Sequence, residues 1–491
     1  MPLIGTRGNC RTRRTAALLG TLCLLAAFGQ AGAVTTLEGY SELMTELHSG
    51  VGGDPTWELW NPKLYSELRL STSPWTSVDA YFKMAAESNR WVDDAKRTEF
   101  LLKEGHLHYR TGRFETYVFA RQDRFWLNEP LLEIINSGVV KDDDWGPRAQ
   151  GIRTDFRDLA GFSGAGFYSD NSNTEDFRGG RVTRRLYGDK VYLGSTYARK
   201  DYGSERGDFD ELGAVDAELA LGEILPPLGG LGRVTLITEY GWNSSGFLWG
   251  SDDSIRGGFK TELRDVIAGP FRFRGSYETF DDDFYTLLAS EDKRNLNDYS
   301  QYFAESHFRV PAKAINLRGW ILHAEPEHPD LTSQARDVGT IDEWGGEAYI
   351  EFKNGFTGKS EYKVYQDDKG TWPNLFFEVT GENRLVKLRT QFRIRDIDTN
   401  YEVTAYGFEA NVNLSERWKF YSRIMNVDER AESRQTAFAQ LRYTGWNGAE
   451  FFVEFGNPDH SNDLVNDGDF VSHDASSTVD KVFKVFLKIY Y

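Results

Sequence analysis

The sequence predicts an all-β chain: a transmembrane, antiparallel up-and-down β-barrel of about 24 strands, in a range of roughly 18–24. Three observations predict it: a leader for secretion, a closing strand with strict two-residue alternation, and runs of about ten alternating residues along the rest of the chain.

The leader comes first. Arg7, Arg11, Arg13 and Arg14 form a basic start, Thr15 to Phe28 is an apolar run, and Ala31-Gly32-Ala33 is a small-x-small cleavage site. Residues 1–33 therefore read as a signal peptide, leaving 34–491 as the barrel. Cys10 and Cys23, the only two cysteines, leave with it. The remaining chain has no disulfide, thiolate metal site or cysteine nucleophile.

The closing strand is the most specific signal. Phe483, Val485, Leu487, Ile489 and Tyr491 alternate with Val482, Lys484, Phe486, Lys488 and Tyr490. A period of two puts each set on its own face. The strand resembles the one that outer-membrane barrels present to the barrel assembly machinery.

Between these ends, alternating runs recur from 35–47 to 480–491, including 113–124, 210–222, 232–243, 373–380 and 384–396. Tight turns such as Ser73-Pro74 and Asn447-Gly448 mostly alternate with long polar segments such as 125–147 and 458–479. Short turns at one end and long loops at the other are what a membrane barrel demands. Mean hydropathy is −0.53, which misleads here, because strands that alternate lipid-facing and lumen-facing residues average out polar. The 33 Phe, 24 Tyr and 13 Trp suit aromatic girdles.

Net charge is −18 and becomes more negative without the leader. Such acidity argues against nucleic acid as a partner. The expected surroundings are outer-membrane lipid and lipopolysaccharide, with the chain a monomer or a homo-oligomer.

Several strands oppose a basic face to an apolar one. Lys387, Arg389, Gln391, Arg393 and Arg395 alternate with Val386, Leu388, Thr390, Phe392 and Ile394. Arg272 and Arg274 alternate with Phe271 and Phe273, and Arg256, Lys260, Glu262 and Arg264 oppose Ile255, Phe259 and Leu263. Arg153 and Arg157, Arg181 and Arg185, Lys419 and Arg423, and Gln440 and Arg442 follow the same spacing. In lipid the apolar set faces out, so the basic set faces the lumen, while acids concentrate in loops such as Asp142-Asp143-Asp144, Asp252-Asp253, Asp281-Asp282-Asp283 and Asp367-Asp368. Two readings follow. The bases form an anion-selective path, or they are ladders neutralised by Glu262, Glu278, Glu409 and Glu454.

Residues 131–140 form an apolar stretch inside a long loop, which either folds inward as a constriction or packs on its own loop. His106 and His108 share a face and read as wall residues, since two ligands make no metal site. No catalytic serine constellation appears, and neither metal nor cofactor is expected. The reading is a passive porin or exporter channel for small or oligomeric, anionic solutes. A barrel sheath for a periplasmic or surface partner and an outer-membrane hydrolase remain as alternatives.

The strand end Tyr117-Val118-Phe119, followed by Ala120-Arg121-Gln122 and an acid-bearing loop with Asp144-Trp145-Gly146, resembles a motif of porins and alginate-export-like barrels. The likeness runs from Glu104 through Phe167. Those families carry glycine where this chain has Ala120. The resemblance implies passive passage of a sugar or uronate polymer, or of small anions, with Arg121 as a lumen residue.

Overall fold

The computed structural model describes residues 34–49, 57–89, 97–122, 124, 127–132, 141–142, 146–147, 149–170, 176–201, 209–245, 256–281, 284, 299–310, 314–326, 339–352, 355–429, 432–456 and 481–491. Residues 1–33, expected to be a signal peptide, and Asp143, Asp144, Asp252, Asp253, Asp282 and Asp283 lie outside them.

A single sheet of 24 antiparallel strands closes on itself, because the first strand pairs with both the second and the last. In chain order the strands are β1 (Val34–Ser49), β2 (Trp57–Trp75), β3 (Val78–Asn89), β4 (Arg97–Arg110), β5 (Phe114–Ala120), β6 (Gln150–Leu159), β7 (Phe162–Asp170) and β8 (Asp176–Leu186). They continue as β9 (Val191–Asp201), β10 (Phe209–Ala220), β11 (Thr235–Ser245), β12 (Arg256–Ala268), β13 (Phe271–Phe280), β14 (Tyr299–Arg309), β15 (Ile315–Pro326) and β16 (Ile341–Glu351). The last are β17 (Phe356–Asp367), β18 (Gly370–Glu382), β19 (Val386–Arg395), β20 (Val403–Asn413), β21 (Trp418–Glu429), β22 (Glu432–Trp446), β23 (Ala449–Gly456) and β24 (Lys481–Tyr490).

Closure leaves no sheet edge to hydrogen-bond, which is the condition for a sheet to cross a bilayer. The closing strand does what its alternation predicts: Glu46 stands opposite Lys484 and Glu42 opposite Lys488 on one face. Tyr491 continues the seam, donating its N–H to Gly39 O (3.0 Å) and accepting from Gly39 N (2.8 Å). The Tyr491 ring lies where a Cβ on Gly39 would stand, so glycine is required at that crossing.

The two faces separate cleanly. Leu37, Leu43, Val118, Ile152, Val182, Val215, Ile321, Val379 and Ile424 are large, apolar and exposed. Arg153, Arg181, Asp216 and Arg423, next in sequence to Ile152, Val182, Val215 and Ile424, are buried on the opposite face, as are Glu67, Glu239 and Gln391 on other strands. An apolar outer belt over a polar interior is stable only when lipid surrounds the barrel.

Three predicted elements change. The run 113–124 stops as a strand at Ala120, because Arg121 takes a left-handed φ of 56° and the chain leaves the wall. The runs 210–222 and 232–243 are joined by a helical turn (Leu221–Ile224) and a 3-10 helix (Pro226–Leu231), started by Pro226-Pro227 with no N–H to offer a ladder. Asp367-Asp368, expected as loop surface, sits in a tight turn at the long-loop end. Asp367 Oδ1 accepts from Lys369 N (2.9 Å), Gly370 N (3.0 Å) and Trp372 Nε1 (3.1 Å).

Candidate functional site: a loop held inside the barrel

The inner face is fixed by one contact. After β5 the chain runs through Arg121–Leu132 and reaches Glu239 on β11, passing the five intervening strands. Within a closed barrel such a chord runs through the interior. Glu239 Oε2 accepts the backbone N–H of both Leu131 (2.9 Å) and Leu132 (2.8 Å). The carboxylate is fully buried, and Leu132 is 2% exposed. Gly241 and Gly258 make room for this contact: a Cβ on Gly241 would stand 2.9 Å from Leu132 Cδ1, and one on Gly258 would stand 2.8 Å from Phe284. Leu127, Leu132, Phe177, Leu212, Phe280 and Phe284 belong to one buried apolar cluster, a core inside the barrel made by loop and wall together. Of the predicted apolar stretch 131–140, Leu131 and Leu132 thus fold inward, and 133–140 lie outside the described residues.

The loop presents Arg124. Its Nε donates to Gln122 Oε1 (2.8 Å), a terminal nitrogen lies 3.3 Å from His106 Nδ1, and its guanidinium sits 4.2 Å from the centre of the Tyr117 ring. Its carbonyl accepts from Arg153 (3.0 Å). Arg124 has no carboxylate partner among the described residues. Burial above all, with the neighbouring Arg153 guanidinium, lowers its pKa from the ordinary guanidinium value. His106 and His108 are wall residues, as expected, and His108 stacks on Tyr117 with ring centres 4.0 Å apart. A cavity of about 400 Å³ opens beside the loop, lined by Tyr117, Arg124, Asn128, Arg153, Arg157 and Arg181 among others.

The predicted strand bases follow one face around the wall, and most are paired. Arg153 holds Asp155 (2.7 Å) and Arg157 holds Glu115 (2.8 Å). Lys260 holds Glu278 (2.5 Å), Arg264 and Arg274 share Glu262 (3.1 and 2.9 Å), and Arg272 holds Asp265 (2.6 Å). Lys387 approaches Glu382 (3.9 Å), Arg389 holds Glu378 (2.8 Å) and Arg442 holds Glu450 (2.5 Å). Arg393 lies 5.2 Å from the Phe376 ring centre. Arg423 is buried opposite Glu409, and Arg256 faces Asn243. Arg395 ends β19 opposite Val403, and Arg121 marks the start of the loop.

The idea that acids gather in the loops is therefore incomplete. Glu67, Glu104, Asp155, Asp216, Glu262 and Glu305 stand on the same face as the bases. Each lies on a neighbouring strand or two residues away from its partner, where the pleat brings side chains together. Reading one strand at a time hides such cross-strand partners. Arg69, Lys83, Arg318 and Lys359, not singled out from sequence, belong to the same network.

The most buried ion pair among the described residues is Arg181–Asp216. Two bonds of 2.6 and 2.9 Å join them, a third runs from Arg181 to Thr196 Oγ1 (2.9 Å), and both side chains are buried. Removing one partner of such a pair costs ~3–5 kcal/mol, because a buried charge is stranded. Asp216→Asn is expected to lower the unfolding free energy of the refolded barrel by that amount, read from the denaturant midpoint and slope. The double replacement Arg181→Met with Asp216→Leu is expected to recover most of it. A single variant with unchanged stability would show that the pair is not sealed from solvent.

A closed sheet of 24 strands with an apolar belt outside and a polar wall within is the architecture of a transmembrane barrel. The fold is that of an outer-membrane β-barrel. One solved structure bears this out at the level of fold, and two more are weaker likenesses. A chain of the E. coli P pilus tip assembly intermediate PapC-PapD-PapK-PapG aligns with a TM-score of 0.56 and 9% identity, over 92% of this chain and 60% of that one. The siderophore receptor PirA from Pseudomonas aeruginosa aligns with a TM-score of 0.47 and 9% identity, over 93% of this chain and 80% of that one. A BenF-like porin from Pseudomonas fluorescens aligns with a TM-score of 0.37 and 11% identity, over 71% of this chain and 98% of that one. No family model and no curated protein matches the sequence.

Proposed function

We propose that this barrel, after loss of residues 1–33, is a passive channel for small anionic solutes with carboxylate or phosphate groups. The observation that carries the reading is the inward loop, which sets Arg124 beside Arg153 and Arg157 in a polar cavity next to the path. Most wall bases are balanced by acids, so the wall as a whole attracts neither sign strongly. An anion pairs best where a guanidinium keeps donors to spare, and among the described residues the Arg124 side chain spends donors on two hydrogen bonds, to Gln122 and His106. The paired bases around it hold the wall and supply weak secondary sites, so that a solute which enters can leave. Nothing in this mechanism needs a catalytic residue or a cofactor.

The test is solute flux into proteoliposomes carrying the refolded barrel. Small mono- and dicarboxylates are expected to enter faster than neutral molecules of the same size. Equal rates for charged and neutral solutes would contradict the proposal, and hydrolysis of a supplied ester would move the protein to the enzyme class.

A further inference from the structure

Arg124 differs from the wall bases in what holds it. Arg153, Arg157, Arg274, Arg389 and Arg442 each hold a carboxylate. The side chain of Arg124 meets uncharged groups: the amide oxygen of Gln122, the imidazole of His106 and the ring face of Tyr117. A guanidinium only donates, so the His106 Nδ1 that it meets accepts and carries no proton, and that ring is neutral. Tyr117 is steadied in turn by the stacked ring of His108.

The fields of two carboxylates, Glu104 and Asp155, reach Arg124, and both are spent elsewhere. Asp155 takes two nitrogens of Arg153, at 2.9 and 2.7 Å. Glu104 Oε1 accepts from the Tyr81 hydroxyl (3.3 Å) and lies 3.7 Å from Lys83 Nζ. Its other oxygen, Oε2, accepts from Gln122 Nε2 (3.3 Å), while Gln122 Oε1 accepts from Arg124 Nε (2.8 Å). Gln122 therefore stands between the cation and Glu104. It is 9% exposed, and its backbone N–H donates to Ala149 O (3.3 Å). An amide suits this place, because it offers an acceptor to one neighbour and a donor to the other without charge. A glutamate there would bind the guanidinium directly, as Asp155 binds Arg153, and cancel its charge.

We propose that Gln122 is a specificity-determining residue of the channel. It ties Arg124 to the wall and keeps Glu104 one side chain away from the guanidinium, so that the positive charge stays open to a carboxylate or phosphate of the solute. The inference rests on the anion path proposed above and adds to it the residue that keeps the charge of Arg124 uncancelled.

The experiment is the reversal potential of the refolded barrel in a planar bilayer under a potassium chloride gradient, for the unaltered protein and three variants. Gln122→Glu is expected to lower the anion-to-cation permeability ratio about fivefold, the effect of one charge at a few ångströms in a water-filled path. The exchange of Glu104→Gln with Gln122→Glu leaves net charge unchanged and only moves the carboxylate into contact with Arg124. It is expected to lower the ratio as far, and it removes the like-charge contact that could keep the single variant from folding. Gln122→Met has the same reach with neither acceptor nor charge, and a smaller fall is expected. If Gln122 were merely a strut, the order would reverse, because glutamate holds Arg124 more tightly than glutamine does and methionine lets it go. Heat-modifiable migration on gels verifies that each variant is folded. An anion preference kept by the exchange variant, or a larger fall in Gln122→Met than in Gln122→Glu, would overturn the assignment while the anion path stands. An unaltered barrel without anion preference would overturn the path itself, and the assignment with it.

Discussion

Replacing Glu239 by Ala is expected to raise single-channel conductance and to broaden its distribution. The carboxylate is the hydrogen-bonding anchor seen for the loop on the far wall, taking the N–H groups of Leu131 and Leu132 on one oxygen. Hydrogen bonds to a charged acceptor contribute ~1.5–3 kcal/mol each, and losing the acceptor leaves two buried donors unsatisfied. A loss of ~3 kcal/mol shifts the ratio of docked to undocked loop by about two orders of magnitude. The apolar contacts of Leu127 and Leu132 oppose release, so the variant should flicker between narrow and wide levels rather than stay open. Glu239→Gln keeps one acceptor oxygen and is expected to fall between the two. Bulky substitution of Gly241 evicts Leu132 by another route and is expected to reproduce the Ala phenotype. If conductance is unchanged in all three, the loop does not limit the path.

Replacing Arg124 by Gln is expected to reduce anion preference with little change in conductance or fold. The side chain stays long and can keep its contact with His106, but the uncompensated charge is gone. At a few ångströms in a water-filled path, one charge is worth ~1 kcal/mol, about a fivefold change in the anion-to-cation permeability ratio. Neutralising Arg389 or Arg274, each already holding a carboxylate, is expected to have the opposite character: a smaller shift in selectivity and a larger loss of stability. A result in which Arg389→Gln matters more than Arg124→Gln would place the selective site on the wall instead of the loop.

The barrel was legible in the sequence for a simple physical reason. Lipid outside and water inside force a two-residue alternation on every strand, and that period survives in single residues such as Lys484, Phe486 and Lys488 against Phe483, Val485 and Leu487. Even 373–380 and 384–396 emerge as β18 and β19 with their inner and outer faces as the alternation assigns them. The basic face was equally legible. That Glu262 and Glu278 neutralise bases was one of the two sequence readings, and they hold Lys260, Arg264 and Arg274; which acid meets which base was not legible. Whether Arg274 meets Glu262 and Glu305 depends on register between strands, which local sequence does not encode.

The site itself was the least visible. Arg121 sits in a motif and draws attention, whereas Arg124, three residues on, looks like one more loop cation. Its position follows from Leu131, Leu132 and Glu239, which are more than a hundred residues apart in the chain and meet only because the sheet closes. The signal that could have found it is a pairing of oddities: Leu-Leu in a long polar loop, and a glutamate on β11 where Gly241 and Gly258 leave a space.

The proposed channel is a path constricted at the loop that favours anions there. The most direct test is the zero-current potential of the refolded barrel in a planar bilayer under a tenfold potassium chloride gradient. Open channels are expected, with a reversal potential of the sign set by chloride that moves toward zero in Arg124→Gln. A barrel that never conducts, or one whose reversal potential carries the sign set by potassium, would contradict it.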